Sequence, residues 1–154
     1  MTDDTRNKIV KELIVSYWME IETVMNYIAN STNLDGLRAE PIKEALAADI
    51  TEELGHAQTL AKRIRELEGS VPGSEEFKAS QKMMQPPSDS TDVVSVIKGV
   101  IKAEEGAIAQ YKKIIALCDG VDYVTQDVAI QSLASEEGHR REFVGFLTEY
   151  ERHN

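Results

Sequence analysis

Four stretches of this 154-residue chain carry apolar residues at steps of three and four, and each stripe has a glutamate in its middle. Such steps follow the helical period, so each set lies along one helix face. The first stripe, over roughly 5–30, is Leu13, Tyr17, Glu20, Val24 and Tyr27. The second, over roughly 41–68, runs Leu46, Ile50, Glu53, Ala57, Leu60, Ile64 and Leu67. The third, over roughly 91–118, gives Ile97, Val100, Ile101, Glu104, Ile108, Tyr111 and Ile115. The fourth, over roughly 122–151, gives Ala129, Leu133, Glu136, Phe143, Leu147 and Tyr150.

The connections order these helices. "STNLDG" and "CDGVD" are short, which makes helices one and two, and three and four, antiparallel neighbours. Between helices two and three, residues 69–90 hold Pro72, Pro86 and Pro87 and read as a long crossover, with a short helical piece around Glu75 to Met83. Ser90 or Thr91 is the expected cap of helix three. Two antiparallel helical hairpins joined by one long crossover describe an all-α, single-domain four-helix bundle over 1–154.

One carboxylate facing a bundle core costs several kcal/mol or is held protonated. Four converging ones need cations. Two divalent ions balance four carboxylates and leave two histidines neutral, and oxygen with imidazole donors suits iron or manganese. The histidines are there. Glu53 precedes His56 by three residues, and Glu136 precedes His139 by three, which uses two of the three histidines in the chain.

The pattern repeats. Tyr27 follows Glu20 by seven residues and Tyr111 follows Glu104 by seven, two turns along the same face. Glu20 and Glu53 are 33 residues apart, and Glu104 and Glu136 are 32 apart. Each hairpin thus offers Glu, then Glu and His. Tyr27 and Tyr111 fit core positions with their hydroxyls bonded to a carboxylate. Glu22 lies about 200° round the helix from Glu20 and is expected to face outward. Glu52 could pair with His56, but its counterpart in the second hairpin is Ser135, so Glu53 is the better ligand. Glu105 lacks the tyrosine spacing, and Glu137 lies on a different face from His139. His153 at the end and the Met83–Met84 pair in the crossover read as non-ligands.

The formal charge of −10 and scattered basic residues argue against a nucleic-acid partner. No apolar run is long enough to span a membrane, and "MTDDTRNKIV" lacks the order of a secretion signal. The one cysteine, Cys118, cannot form an internal disulfide. The expected compartment is the cytoplasm.

The stretches "EIETVMNY", "EELGHAQTLAKRIRELEG", "EEGAIAQYKKII" and "SLASEEGHRREF" resemble the ferritin-like superfamily, within it the bacterioferritin and Dps-like (thioferritin-type) branch, over about residues 8–150. The resemblance implies that Glu20, Glu53 and His56 hold one iron and Glu104, Glu136 and His139 the other, with Glu53 and Glu136 bridging. It also implies Fe(II) oxidation by dioxygen or hydrogen peroxide, often followed by mineral storage in a hollow shell. Bacterioferritins place a haem-binding methionine where this chain has Leu54, so no haem is expected there. They place an aspartate before each Glu-x-x-His; here those positions are Glu52 and Ser135, an altered second layer around the metals. Thioferritin-type proteins carry a cysteine pair where this chain has Gly106 and Gln126. No fifth helix is expected after the fourth, so the expectation is a twelve-subunit shell or a small homo-oligomer before a 24-subunit one.

The leading expectation is therefore a ferroxidase and iron-storage protein. The alternative is a rubrerythrin-like di-iron peroxidase whose metals stay in place. Against the standard form of that alternative stand the lack of a CxxC module and Ala107 three residues after Glu104, where a second glutamate is expected.

Overall fold

The computed structural model describes residues 1–153. Its four long helices are α1 (Asp3–Asn33), α2 (Glu40–Glu66), α3 (Val93–Cys118) and α4 (Tyr123–Arg152). They agree with the periodicity to within three residues at each end. The α1 N-terminus is capped by Thr2, whose side chain accepts from the Thr5 amide, and Asp3 and Asp4 lie in its first turn, where the helix dipole favours acids. A short 3₁₀ turn, Leu37–Ala39, leads straight into α2 with Pro41 in its first turn.

Helix α1 packs along α2 and α3 along α4, while α1 also meets α3 and α2 meets α4. The expected antiparallel hairpins and all-α bundle are therefore the observed architecture. The apolar core is divided. One cluster gathers Tyr27, Leu46, Ile97, Val100 and Phe143 with their neighbours, and another gathers Ile9, Leu13, Leu60, Ile64 and Ile114. The four stripe glutamates occupy the sequence midpoint between these two apolar halves.

Three local expectations are corrected. Helix α3 is capped not by Ser90 or Thr91 but by Asp92, which accepts from the Ser95 amide at 3.0 Å. Asp89 instead turns the chain before it by accepting from both the amide and the hydroxyl of Thr91. The crossover holds two separate 3₁₀ turns, Ser74–Glu76 and Lys82–Met84, instead of a helical piece over 75–83. Glu22 is buried, although its direction differs from that of Glu20. The reason is the crossover, which covers that face. The Glu22 carboxylate accepts from the amides of Ser80 (3.0 Å) and Gln81 (2.7 Å).

The crossover is thereby seated on the seam between α1 and α3. Asn30 donates to the Met84 carbonyl at 2.8 Å, and Met84 itself is buried in the core. On the α3 side the backbone approaches so closely that a Cβ at Gly99 would lie 2.3 Å from the Met83 carbonyl oxygen. Only glycine permits that contact.

Glu22→Ala removes the acceptor for two crossover amides and leaves them unsatisfied. We expect a loss of about 2 kcal/mol in urea-monitored stability. A variant as stable as the parent would show that this anchor is dispensable.

Candidate metal centre

Each glutamate reaches the bundle interior from the middle of a long helix, so its backbone position is fixed by two helical turns on either side. Glu20, Glu53, Glu104 and Glu136 are only 1–3% exposed. They meet the imidazoles of His56 and His139. Ligand atoms of Glu20, Glu53, His56 and Glu136 lie within 4.8 Å of one another, and so do those of Glu53, Glu104, Glu136 and His139. Glu53 and Glu136 belong to both groups. The arrangement is two donor sets that share two carboxylates.

The repeat in the sequence becomes a reciprocal arrangement in space. Tyr27 of α1 donates to Glu104 of α3 at 2.6 Å, while Tyr111 of α3 donates to Glu20 of α1. Each tyrosine thus steadies the glutamate of the opposite hairpin, as the expectation of a carboxylate-bonded core hydroxyl requires. His56 Nδ1 lies 3.0 Å from Glu136, and His139 Nδ1 lies 3.0 Å from Glu53. Each imidazole therefore reaches the glutamate carried by the other Glu-x-x-His helix.

The layer behind the histidines is not symmetric. His139 Nε2 meets Glu52 of α2 at 2.5 Å and Asp49 at 3.5 Å. Among the described residues, the only carboxylates within ion-pair distance of His56 are Glu20, Glu53 and Glu136, all reached from Nδ1. Ser135, the counterpart of Glu52, is close by in the helix, but its buried hydroxyl has no hydrogen-bond partner. Asp49 was not singled out by the sequence reading. Its signal was present, since it stands one helical turn before Glu53 on the same face. Glu105 is exposed and paired with Arg140, Glu137 and His153 are exposed, and Leu54 lies half-exposed on α2.

Whether these residues suit a pair of cations can be judged from their atoms. Glu53 Oε1, His56 Nδ1, Glu104 Oε2, Glu136 Oε1 and His139 Nδ1 are all buried and, although some face one another at 3.0 Å, none makes a well-aligned hydrogen bond. Buried polar atoms are nearly always satisfied, so five orphans at one point are a donor set awaiting a ligand. Carboxylates and imidazoles fit ferrous iron or manganese.

Protons carry the balance when no cation is bound. Burial, then the nearby Glu53 charge, raises Glu20 well above the usual carboxylate range. Burial also raises Glu104, to about 9, reinforced by Glu136. For Glu53 and Glu136 burial acts in the same sense but is outweighed by neighbouring donors, including both histidines, and both are held low. Burial opposes charge on His56, yet its contacts with Glu136, Glu20 and Glu53 push it up to about 12. His139 is raised in the same way by Glu104, Glu136 and Glu53. Two cationic imidazoles thus face two carboxylates, with two carboxylic acids beside them. Among these six groups the charges cancel.

The ferritin-like domain family matches residues 17–153. The chain belongs to the ferritin-like family. A "DNA protection during starvation protein" of Pyrococcus furiosus is 31% identical over 144 residues, covering 92% of this chain and 77% of that protein. A bacterioferritin of Brucella melitensis is 26% identical over 133 residues, covering 86% and 78%. Among solved structures, a dodecameric thioferritin, the bacterioferritin-related protein from Bacteroides fragilis, superposes with a TM-score of 0.82 at 25% identity, over 96% of this chain and 88% of that one. Ferritin-like di-iron-carboxylate proteins from Bacillus anthracis share the fold, with a TM-score of 0.82 at 20% identity and coverage of 96% and 99%. No helix of the described residues is long and apolar enough to cross a membrane.

Two outcomes follow from the protonation pattern. Loading two divalent ions at pH 7 should expel about four protons per chain, from the two imidazolium and two carboxylic acid groups, as read by unbuffered pH-stat titration. Release of none would contradict the protonated cluster. The second concerns Glu104, whose folded-state pKa near 9 lies above its unfolded value. The unfolded chain loses that proton first, so the metal-free protein weakens as pH rises from about 5 toward 9. Glu104→Gln removes its share of this dependence. Its apo melting temperature should exceed the parent's by a margin that widens between pH 5 and 8, and an unchanged or lower value would contradict the burial of an acidic Glu104.

Proposed function

We propose that the chain is a ferroxidase that binds Fe(II) at a dinuclear carboxylate centre within one subunit, oxidises it, and stores or detoxifies the product. The observation that carries this reading is the pair of donor sets sharing Glu53 and Glu136, with five buried ligand atoms that make no well-aligned hydrogen bond. Glu20 and His56 complete one set, and Glu104 and His139 the other.

In this reading two ferrous ions are the substrate. They displace the protons of the cluster, and the four carboxylates then offset their charge. Each ion gives up one electron. Dioxygen takes the two electrons with two protons and leaves as hydrogen peroxide, or hydrogen peroxide takes them with two protons and leaves as two waters. The chain's own contribution is placement. Tyr27 and Tyr111 hold the terminal glutamates, and Glu52 orients His139 so that Nδ1 faces the ions. The missing counterpart behind His56 makes that imidazole the less constrained of the two, which suits release of an oxidised ion from the His56 side. Manganese satisfies the same donors.

Storage requires assembly. Apolar residues Met25 and Ile28 on α1 and Leu54 on α2 are exposed in the single chain and offer surface for contacts between copies. We propose a homo-oligomer closing into a hollow shell, of the twelve-subunit kind named for the Bacteroides fragilis neighbour.

Glu53→Ala and His139→Ala should each abolish stoichiometric binding of two Fe(II) per chain in anaerobic titrations while the helical circular dichroism persists. Two ions bound as in the parent would refute the ligand assignment. Aerobic iron additions to the metal-free protein, followed by size-exclusion chromatography, separate storage from fixed-metal chemistry. We expect soluble iron far beyond two per chain, travelling with a large assembly. A count that stops at two would favour the peroxidase-like alternative.

A further inference from the structure

We infer that the narrow cleft on the α1–α3 seam is the route by which a neutral oxidant reaches the metal centre, and that Gln81 of the crossover sets the size of molecule that passes. The inference rests on the ferroxidase reading above and adds to it a residue that acts on selectivity and not on metal binding.

Two sides of the centre differ in character. On the α2 and α4 side stand Asp49 and the largely exposed Glu52, behind His139. Carboxylates there attract a cation and replace part of its hydration. On the α1–α3 side a small cleft reaches all four buried glutamates, and its remaining wall is Met19, Thr23, Gln81, Ala103 and Ala107. None of these five carries a charge. A hydrated divalent ion entering between a thioether, a hydroxyl, an amide and two methyl groups would lose water without replacement, which is costly. A small neutral molecule meets no such barrier.

The cleft is narrow, with room for about one water-sized molecule. Gln81 closes it in a fixed posture. Its Oε1 accepts from Asn26 at 3.0 Å, and its Nε2 donates to Thr23 Oγ1 at 2.8 Å and to the Met19 carbonyl at 3.3 Å. Its amide donates to Glu22, and the whole residue is 6% exposed. Both amide protons and the carbonyl oxygen are engaged, so the side chain is a rigid constriction and not a swinging lid. A fully satisfied buried polar network fixes one geometry. Ala107, in the same wall, is small. Dioxygen and hydrogen peroxide fit such a passage, and an alkyl hydroperoxide with a branched chain does not.

The test compares two peroxides on anaerobic protein carrying two Fe(II) per chain. Hydrogen peroxide takes one electron from each ferrous ion, its O–O bond breaks, and two protons make two waters. tert-Butyl hydroperoxide takes the same electrons and protons and leaves as tert-butanol and water. The parent should oxidise its iron rapidly with the first and slowly with the second. Gln81→Ala should raise the tert-butyl hydroperoxide rate at least about tenfold without slowing hydrogen peroxide. Gln81→Met, similar in volume, should keep the parent's discrimination, and Ala107→Leu should slow both peroxides at unchanged Co(II) stoichiometry. Hydrogen exchange over residues 78–85 of the metal-free variants reports whether the crossover stays seated, and should a variant lose it, the other two decide. Parent-like rate ratios in Gln81→Ala and parent-like rates in Ala107→Leu would overturn this inference alone. A parent that binds no iron, or whose bound iron hydrogen peroxide leaves ferrous, would overturn the ferroxidase reading and this inference with it.

Discussion

Burying four carboxylates at one level of a helical bundle is the constraint on which the rest of the molecule turns. Each would cost several kcal/mol alone and ionised. The chain tolerates them because their charge is always matched, by protons on His56, His139, Glu20 and Glu104 in the metal-free protein or by cations when loaded. Either way the glutamates interrupt the apolar stripes, and two hydrophobic clusters flank the break instead of one continuous core. Stability comes from those flanks. The middle carries the converging carboxylates and imidazoles.

The same constraint explains the reciprocal bonds across the bundle. A glutamate on a helix can swing through several rotamers, and a donor set needs one of them. Tyr27 and Tyr111 each reach from one hairpin to the other to fix a carboxylate, which also ties the hairpins together at the site. The crossover adds a second tie along the α1–α3 seam, through Glu22, Asn26 and Asn30 on one side and Gly99 on the other. Placement of the ligands and closure of the seam are thus carried by different residues.

Most of this was legible in the sequence because helices impose a period. The stripes located the four helices, the central glutamates marked where buried carboxylates converge, and the seven-residue spacing singled out both tyrosines. What escaped lay where periodicity does not reach. Glu22 was assigned to solvent by its angle from Glu20, and nothing in a proline-containing crossover announces that Ser80 and Gln81 will settle over that face. The cap of α3 moved from Ser90 or Thr91 to Asp92, because three neighbouring residues could all cap and only the tertiary path chooses. Asp49 shares a face with Glu53, but a carboxylate one turn from another reads as an ordinary solvated acid until His139 of a distant helix arrives beside it.

The central claim is that the converging side chains hold two metal ions through two shared carboxylates. A crystal of iron-loaded protein measured at the iron absorption edge tests it most directly. Two anomalous peaks per chain are expected, roughly 3.5–4 Å apart, both within reach of Glu53 and Glu136, one beside His56 and the other beside His139. A single peak, or peaks lying away from these six side chains, would contradict it.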